Sequence, residues 1–302
     1  MKARIVWLIL CCIWGSTWLF IKLGLRDLPP VSFAAVRFAL ASAILCAVVA
    51  ARRAPLPRSR RELTLILKTG VLAFGLNYGL LFWGEQHISS GLAALLQATI
   101  PVFGMLIAHP YLPGERLTAW KLGGALLGVV GVGIIFSNQL AAEGGMALWG
   151  SAAIVVGAVF VAYANVLVKA YGAGIEPATL AAGQMLCGLV PLACYGLAFE
   201  GNPFNFNWTT LAVVSLLYLT LVGSVAAFLL YYWLVRNMDV TNTMLIALVT
   251  PLAAVLLGMI VLGEKLSWRT VAGGALIMSG IGLVVLRRVK KQEASSADSQ
   301  PA

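Results

Sequence analysis

SSGLAALLQATIPVFGMLIAHPYLPGERLTAWKLGGALLGVVGVGIIF, residues 89–136, returns in altered form as NTMLIALVTPLAAVLLGMIVLGEKLSWRTVAGGALIMSGIGLVV, residues 242–285. Each copy is an apolar helix with a central proline, Pro101 or Pro251. A Gly-Glu-x-Leu turn follows (Gly114, Glu115, Leu117; Gly263, Glu264, Leu266), then a glycine-rich apolar helix. At a constant offset of 149 positions Gly124, Leu127, Gly131 and Gly133 match Gly273, Leu276, Gly280 and Gly282. A repeat this long is a duplicated half of the chain, since solenoid units run to roughly 20–50 residues.

Outside the repeat the chain has the same character. Of 302 residues 61% are hydrophobic and 11% charged, with a mean hydropathy of +0.93, against about 25% charged in a soluble domain. Apolar runs near the ~20 residues that cross a bilayer recur from end to end. The predicted class is all-α integral membrane. A β-barrel is excluded, because its strands would be shorter and would alternate polar with apolar residues. Cys11, Cys12, Cys46, Cys187 and Cys194 all fall in apolar runs and suggest neither disulfides nor metal ligands.

Hydropathy places ten transmembrane spans: Ile5–Leu25, Val31–Ala51, Leu65–Trp83, Ser89–Ala108, Thr118–Phe136, Ala147–Lys169, Pro177–Phe199, Thr209–Val235, Thr241–Leu262 and Thr270–Leu286. They divide into five-helix halves, 1–140 and 141–289, with 290–302 as a disordered cytoplasmic tail. With the N-terminus inside, Lys22, Arg26, Lys265 and Arg269 fall outside and Arg37 within a span; every other Lys and Arg is cytoplasmic. That bias is the positive-inside rule, so the net charge of +10 reports topology and nucleic acid is no expected partner. Five spans per half make the second half enter from the opposite side. The prediction is therefore two inverted five-helix repeats, an arrangement that places a substrate site near midplane between them. At an offset of 147, Lys22 pairs with Lys169, Pro30 with Pro177 and Arg37 with Gln184.

Trp14-Gly15-Ser16, Lys22, Pro30, Arg37, Asn77-Tyr78, Ser90-Gly91-Leu92-Ala93-Ala94, Pro101 and Gly114-Glu115-x-Leu117 together resemble the drug/metabolite transporter superfamily, EamA type, over nearly the whole chain. The resemblance implies ten helices with both termini cytoplasmic, and a cavity lined by helices 1–4 and 6–9. It implies export or exchange of amino acids and related metabolites.

Polar residues inside spans are costly in lipid and face a cavity or another helix. The candidates for substrate contact are Ser16, Asn77, Gln97, Asn165 and Gln184, with Arg37, whose guanidinium fork suits a carboxylate. Trp14, Trp18, Tyr78 and Tyr163 add flat apolar faces with one donor each, suited to neutral or aromatic solutes. Pro101 and Pro251 each free a carbonyl one turn back, that of Gln97 or Ala247, and are hinge candidates.

All eleven acidic residues fall in loops, tails or span ends. The small multidrug branch of the superfamily uses a first-helix glutamate that this chain lacks. No proton carrier is visible, so transport is expected to be facilitated diffusion or exchange. The expected function is export or exchange of neutral or aromatic amino acids by alternating access in the cell inner membrane, with a small-molecule substrate and the bilayer as partners. No cofactor or metal is called for, and the oligomeric state, a monomer included, stays open. The alternatives are a sugar-phosphate or nucleotide-sugar carrier, which needs more cavity cations, and a channel-like or sensory scaffold. An enzyme would need converging acid, base or nucleophile within the membrane, and none is evident.

Overall fold

The computed structural model describes residues 2–112, 118–142, 145–238 and 246–297. These form ten helices: α1 Lys2–Gly24, α2 Pro30–Ala51, α3 Arg60–His87, α4 Ser90–Tyr111, α5 Ala119–Ala142, α6 Gly145–Tyr171, α7 Pro177–Glu200, α8 from Thr210 to Asn237, α9 Ile246–Leu262 and α10 Trp268–Ala297. The first eight contain stretches long and apolar enough to cross a bilayer, and α9 and α10 carry shorter apolar stretches. The first Gly-Glu-x-Leu turn, Gly114 to Leu117, lies outside the described residues.

Local chemistry sets many of the helix ends. Ser59 accepts from Glu62 N–H while the Glu62 carboxylate accepts from Ser59 N–H, a reciprocal cap at the start of α3. Pro30 and Pro177 open α2 and α7, where a missing N–H costs nothing. Two further caps come from far along the chain. Glu200 accepts from Val31 and Ser32 N–H at the start of α2, and Glu264 from Ser90 and Gly91 N–H at the start of α4. Each carboxylate satisfies two orphan donors at the positive end of a helix. Glu264 follows Gly263, whose φ of +65° is a backbone conformation that a side chain would oppose.

Two helices carry π-helical turns in their middles, Val71–Leu76 in α3 and Tyr218–Ala226 in α8. Their first residues are 147 positions apart, the offset of the sequence repeat. The helix contacts follow the same exchange. α1 packs on α8 and α9, as α6 packs on α3 and α4; α2 packs on α7, α4 on α9 and α5 on α10. In the α5–α10 pair a Cβ on Gly124 would stand 2.7 Å from the Gly280 carbonyl oxygen. One on Gly131 would stand 2.5 Å from that of Gly273. Numbering rises along one helix as it falls along the other, so the two run antiparallel. Glycine permits this approach because backbone meets backbone.

The main core cluster lies among α1, α2, α3, α7 and α8 around Phe33, Phe38, Phe74 and Phe82. The outer surface is apolar, with Leu126, Trp149, Val190, Phe199 and Ile260 exposed, as a lipid-facing surface must be.

Three expectations change. α3 begins at Arg60 and ends at His87, beyond the hydropathic span 65–83, because the Ser59 cap starts it early. α4 is interrupted at Ala98–Thr99 ahead of Pro101, but α9 runs unbroken through Pro251. α10 continues to Ala297 where a disordered tail was expected; Lys290, Lys291, Gln292 and Glu293 are good helix formers.

Candidate functional site

Arg37 is a guanidinium within an apolar helix and only 3% exposed. The π-turn of α8 presents Ser224 to it. Arg37 Nε and Nη2 each donate to Ser224 Oγ at 3.2 Å, and that hydroxyl donates in turn to the Leu219 carbonyl. Three rings flank the charge, with centroids 5.3 Å (Phe38), 5.3 Å (Tyr78) and 6.0 Å (Phe82) from Cζ, each within cation–π range. Nη1 is buried without a partner. A side chain on Gly223 would lie 2.8 Å from Thr17 Cγ2 and 3.8 Å from Arg37 Nη2. So α1, α2, α3 and α8 meet at one point.

Around this point the sequence candidates sort into separate groups. Trp14, Ser16 and Trp18 lie along α1. Trp14 packs against Phe228 and Tyr231 of α8, and Ser16 Oγ is 2.6 Å from Tyr218 Oη. Trp18 bridges the core clusters on either side of α1. Tyr78 stands edge-on to Phe38 and beside Arg37.

Asn77, though next to Tyr78, points the other way. Gln97 Nε2 donates to Asn77 Oδ1 at 2.9 Å, and Asn77 donates to the Ala73 carbonyl. This bond ties α3 to α4 just before the Ala98–Thr99 break. Gln97 Oε1 is buried and unpartnered. Tyr163 and Asn165 lie further along α6, Tyr163 within 3.1 Å of the Tyr111 hydroxyl and Asn165 exposed. Gln184 donates to Thr69 Oγ1 at 2.8 Å across the α3–α7 contact, apart from Arg37.

Sequence reasoning passed over Ser224 and Glu85. Ser224 carried a readable signal, since it stands 147 positions after Asn77. Glu85 carried none. It sits at a span end, as expected, yet its side chain is fully buried.

The profile described as the EamA-like transporter family matches residues 1–137 and again 148–286. The chain belongs to the EamA-like transporter family. It is thus a multi-pass membrane transporter. Relatives in this family include the uncharacterized transporter YoaV of Bacillus subtilis, 28% identical over 89% of this chain and 91% of YoaV. The uncharacterized inner membrane transporter YedA of Escherichia coli is 31% identical over 84% of this chain and 81% of YedA. A probable terminal-alkyne amino-acid exporter of Streptantibioticus cattleyicolor is 28% identical over 97% of this chain and 98% of its own length. A solved crystal structure with 20% identity superposes at a TM-score of 0.65, covering 95% of this chain and 98% of the other; that likeness bears on the fold alone.

Proposed function

We propose that this EamA-like transporter exports or exchanges small amphiphilic metabolites, foremost neutral or aromatic amino acids, by alternating access in the cell inner membrane. Both termini are cytoplasmic in this reading, and residues 1–140 and 141–289 act as two inverted repeats. The antiparallel α5–α10 pair and the exchange of contacts between the halves support the repeats. A relative named as a probable amino-acid exporter supports the substrate class.

The observation that carries the reading is Arg37. A guanidinium within the bundle stays charged, and leaving Nη1 without a partner is costly. A substrate carboxylate would complete it. The rings of Phe38, Tyr78 and Phe82 would face the apolar part of the same molecule. In the present state Arg37 is sealed, so access requires α8 to part from α2. Asn77 and Gln97 bond each other and serve this mechanism by joining α4 to α3.

A sugar-phosphate carrier is disfavoured by Lys22. Its ammonium binds the backbone carbonyls of Glu85 and Ile88, both at 2.6 Å, and so does not join Arg37 in a phosphate site. The test is uptake by the purified chain in proteoliposomes across a panel of amino acids, sugar phosphates and nucleotide sugars. Counterflow of a neutral or aromatic amino acid that disappears in Arg37→Ala supports the reading. Transport of a phosphate ester alone would overturn it.

A further inference from the structure

Glu85 lies on the last turn of α3 and has no part in the site around Arg37. Its side chain is 0% exposed, and neither carboxyl oxygen has a hydrogen-bond partner. Charged groups approach from several sides. Lys22 comes from α1, but its ammonium is turned onto the carbonyls that end α3, where the helix dipole favours a cation. Glu264 comes from the α9–α10 turn, its carboxylate already accepting from Ser90 and Gly91. Arg37 of α2 stands over the ring of Phe82, one turn before Glu85 on α3, and Arg26 lines the same cavity as Lys22. On its own helix His87 also has a buried, unpartnered nitrogen. α6 approaches with Gly150, Ser151 and Ile154, and no charged group of α6 meets Glu85 among the described residues.

An ionised carboxylate in this place would lack every hydrogen bond while an ammonium stands nearby bound to something else. Burying a charge without partners costs far more than burying a neutral acid. The neutral carboxyl is therefore the form that fits this arrangement. Beyond Lys22 lies a cavity of about 240 Å³ lined by Lys22, Leu25, Arg26, Gln86, Leu262 and Glu264. It sits at the end of the bundle that the charge bias places outside.

We infer that Glu85 is a proton-binding site built into the outer gate, occupied while the gate is shut and emptied to the outside as it opens. The inference rests on the alternating-access reading above. Opening draws the Glu264 turn away from the first turn of α4 and admits water. The Glu85 O–H bond then breaks and its proton passes to that water. The carboxylate left behind takes the Lys22 ammonium, which leaves the helix-end carbonyls. Closing reverses each step, so charge and protons balance. The proton is taken up from and returned to the same side, so it gates transport without being carried across the membrane. The sign follows from linkage. The shut state binds the proton and the open state does not, so acid outside holds the gate shut and alkali favours opening. For one proton the open-to-shut ratio changes by up to about tenfold per pH unit.

Two measurements test this on the full chain reconstituted in lipid. Infrared spectra near neutral pH should contain the carbonyl stretch of a protonated carboxyl that is absent from Glu85→Gln. Leu25→Cys, in a chain whose native cysteines are replaced, should label from outside more rapidly as external pH rises. With Glu85→Gln added, labelling should stay at the slow, shut level at every pH. Glu85→Asp should keep both the band and the pH response. Should Glu85→Gln fail to fold, the wild-type band decides, and it should vanish over the pH range in which labelling rises. A missing band, a band unchanged in Glu85→Gln or across the pH range, or an unaltered pH response in that variant would overturn the inference. Failure of the transporter reading looks different: wild-type labelling would not respond to any substrate of the panel.

Discussion

Arg37 and Ser224 meet from opposite halves of the chain, one hydroxyl oxygen accepting from both Nε and Nη2 of the guanidinium at 3.2 Å. The bond closes α2 onto the π-turn of α8, and a substrate carboxylate would compete for the same donors. Replacing Arg37 by Lys keeps the charge and loses the fork. A hydrogen bond to a charged group contributes about 1.5–3 kcal/mol. The half-saturating substrate concentration for Arg37→Lys should therefore rise on the order of tenfold to a hundredfold. Ser224→Ala should lower thermal stability and, by freeing the donors for which the substrate competes, should leave that concentration unchanged or lower it. Unchanged saturation kinetics in Arg37→Lys would remove Arg37 from the site.

The prolines occupy matching places and have different surroundings. α4 is broken at Ala98–Thr99, where Thr99 Oγ1 turns back to the Leu96 carbonyl at 2.6 Å, whereas α9 is continuous through Pro251. A proline costs an ordinary helix interior about 3 kcal/mol. Pro101→Ala can restore a missing bond only by rejoining the two pieces of α4. Transport should slow in both variants, and more in Pro101→Ala, with folding retained. If the two helices pivot about related axes, cysteine accessibility should shift to opposite sides of the membrane in the two variants. Normal rates with unaltered accessibility would make both prolines packing features.

Topology has a direct check. A cysteine placed at Lys265 should label from outside intact cells, and one placed at Arg58 only after permeabilisation. Cysteines at Glu115 and Glu264 should label from opposite faces. Labelling of that pair from one face would dissolve the inverted repeat.

The α5–α10 seam should be intolerant of bulk. Gly131→Leu or Gly273→Leu places a side chain where a Cβ alone would stand 2.5 Å from the opposing carbonyl oxygen. Overpacking costs about 1–3 kcal/mol, so thermal unfolding in detergent should move several degrees downward. Gly133→Ala, with nothing within 4 Å of the added carbon, should leave unfolding unchanged. Equal melting of Gly131→Leu and wild type would contradict the seam described above.

Ten apolar helices, their duplication and the glycines of the α5–α10 seam could be read directly from the chain. A bilayer leaves backbone groups no partner but their own helix, and apolar length then reveals each span. Ser59 and Glu62, three residues apart, carry a local signal for the start of α3 that hydropathy, which began the span at Leu65, does not register. The site was less legible. Arg37 stood out because a guanidinium in an apolar run is expensive, but its partner Ser224 lies 187 residues away. Asn77 and Tyr78 are neighbours in sequence, yet helix geometry turns one toward Gln97 and the other toward Arg37. Glu85 was hidden most completely. Its position at a span end gives no measure of burial, which depends on how α1, α6 and the Glu264 turn close over that end. Sequence determined what each helix could cross, because that is a property of its own residues. Only tertiary structure decided which polar groups found partners and which, like Glu85, were sealed in without them, because that depends on what packs against each helix.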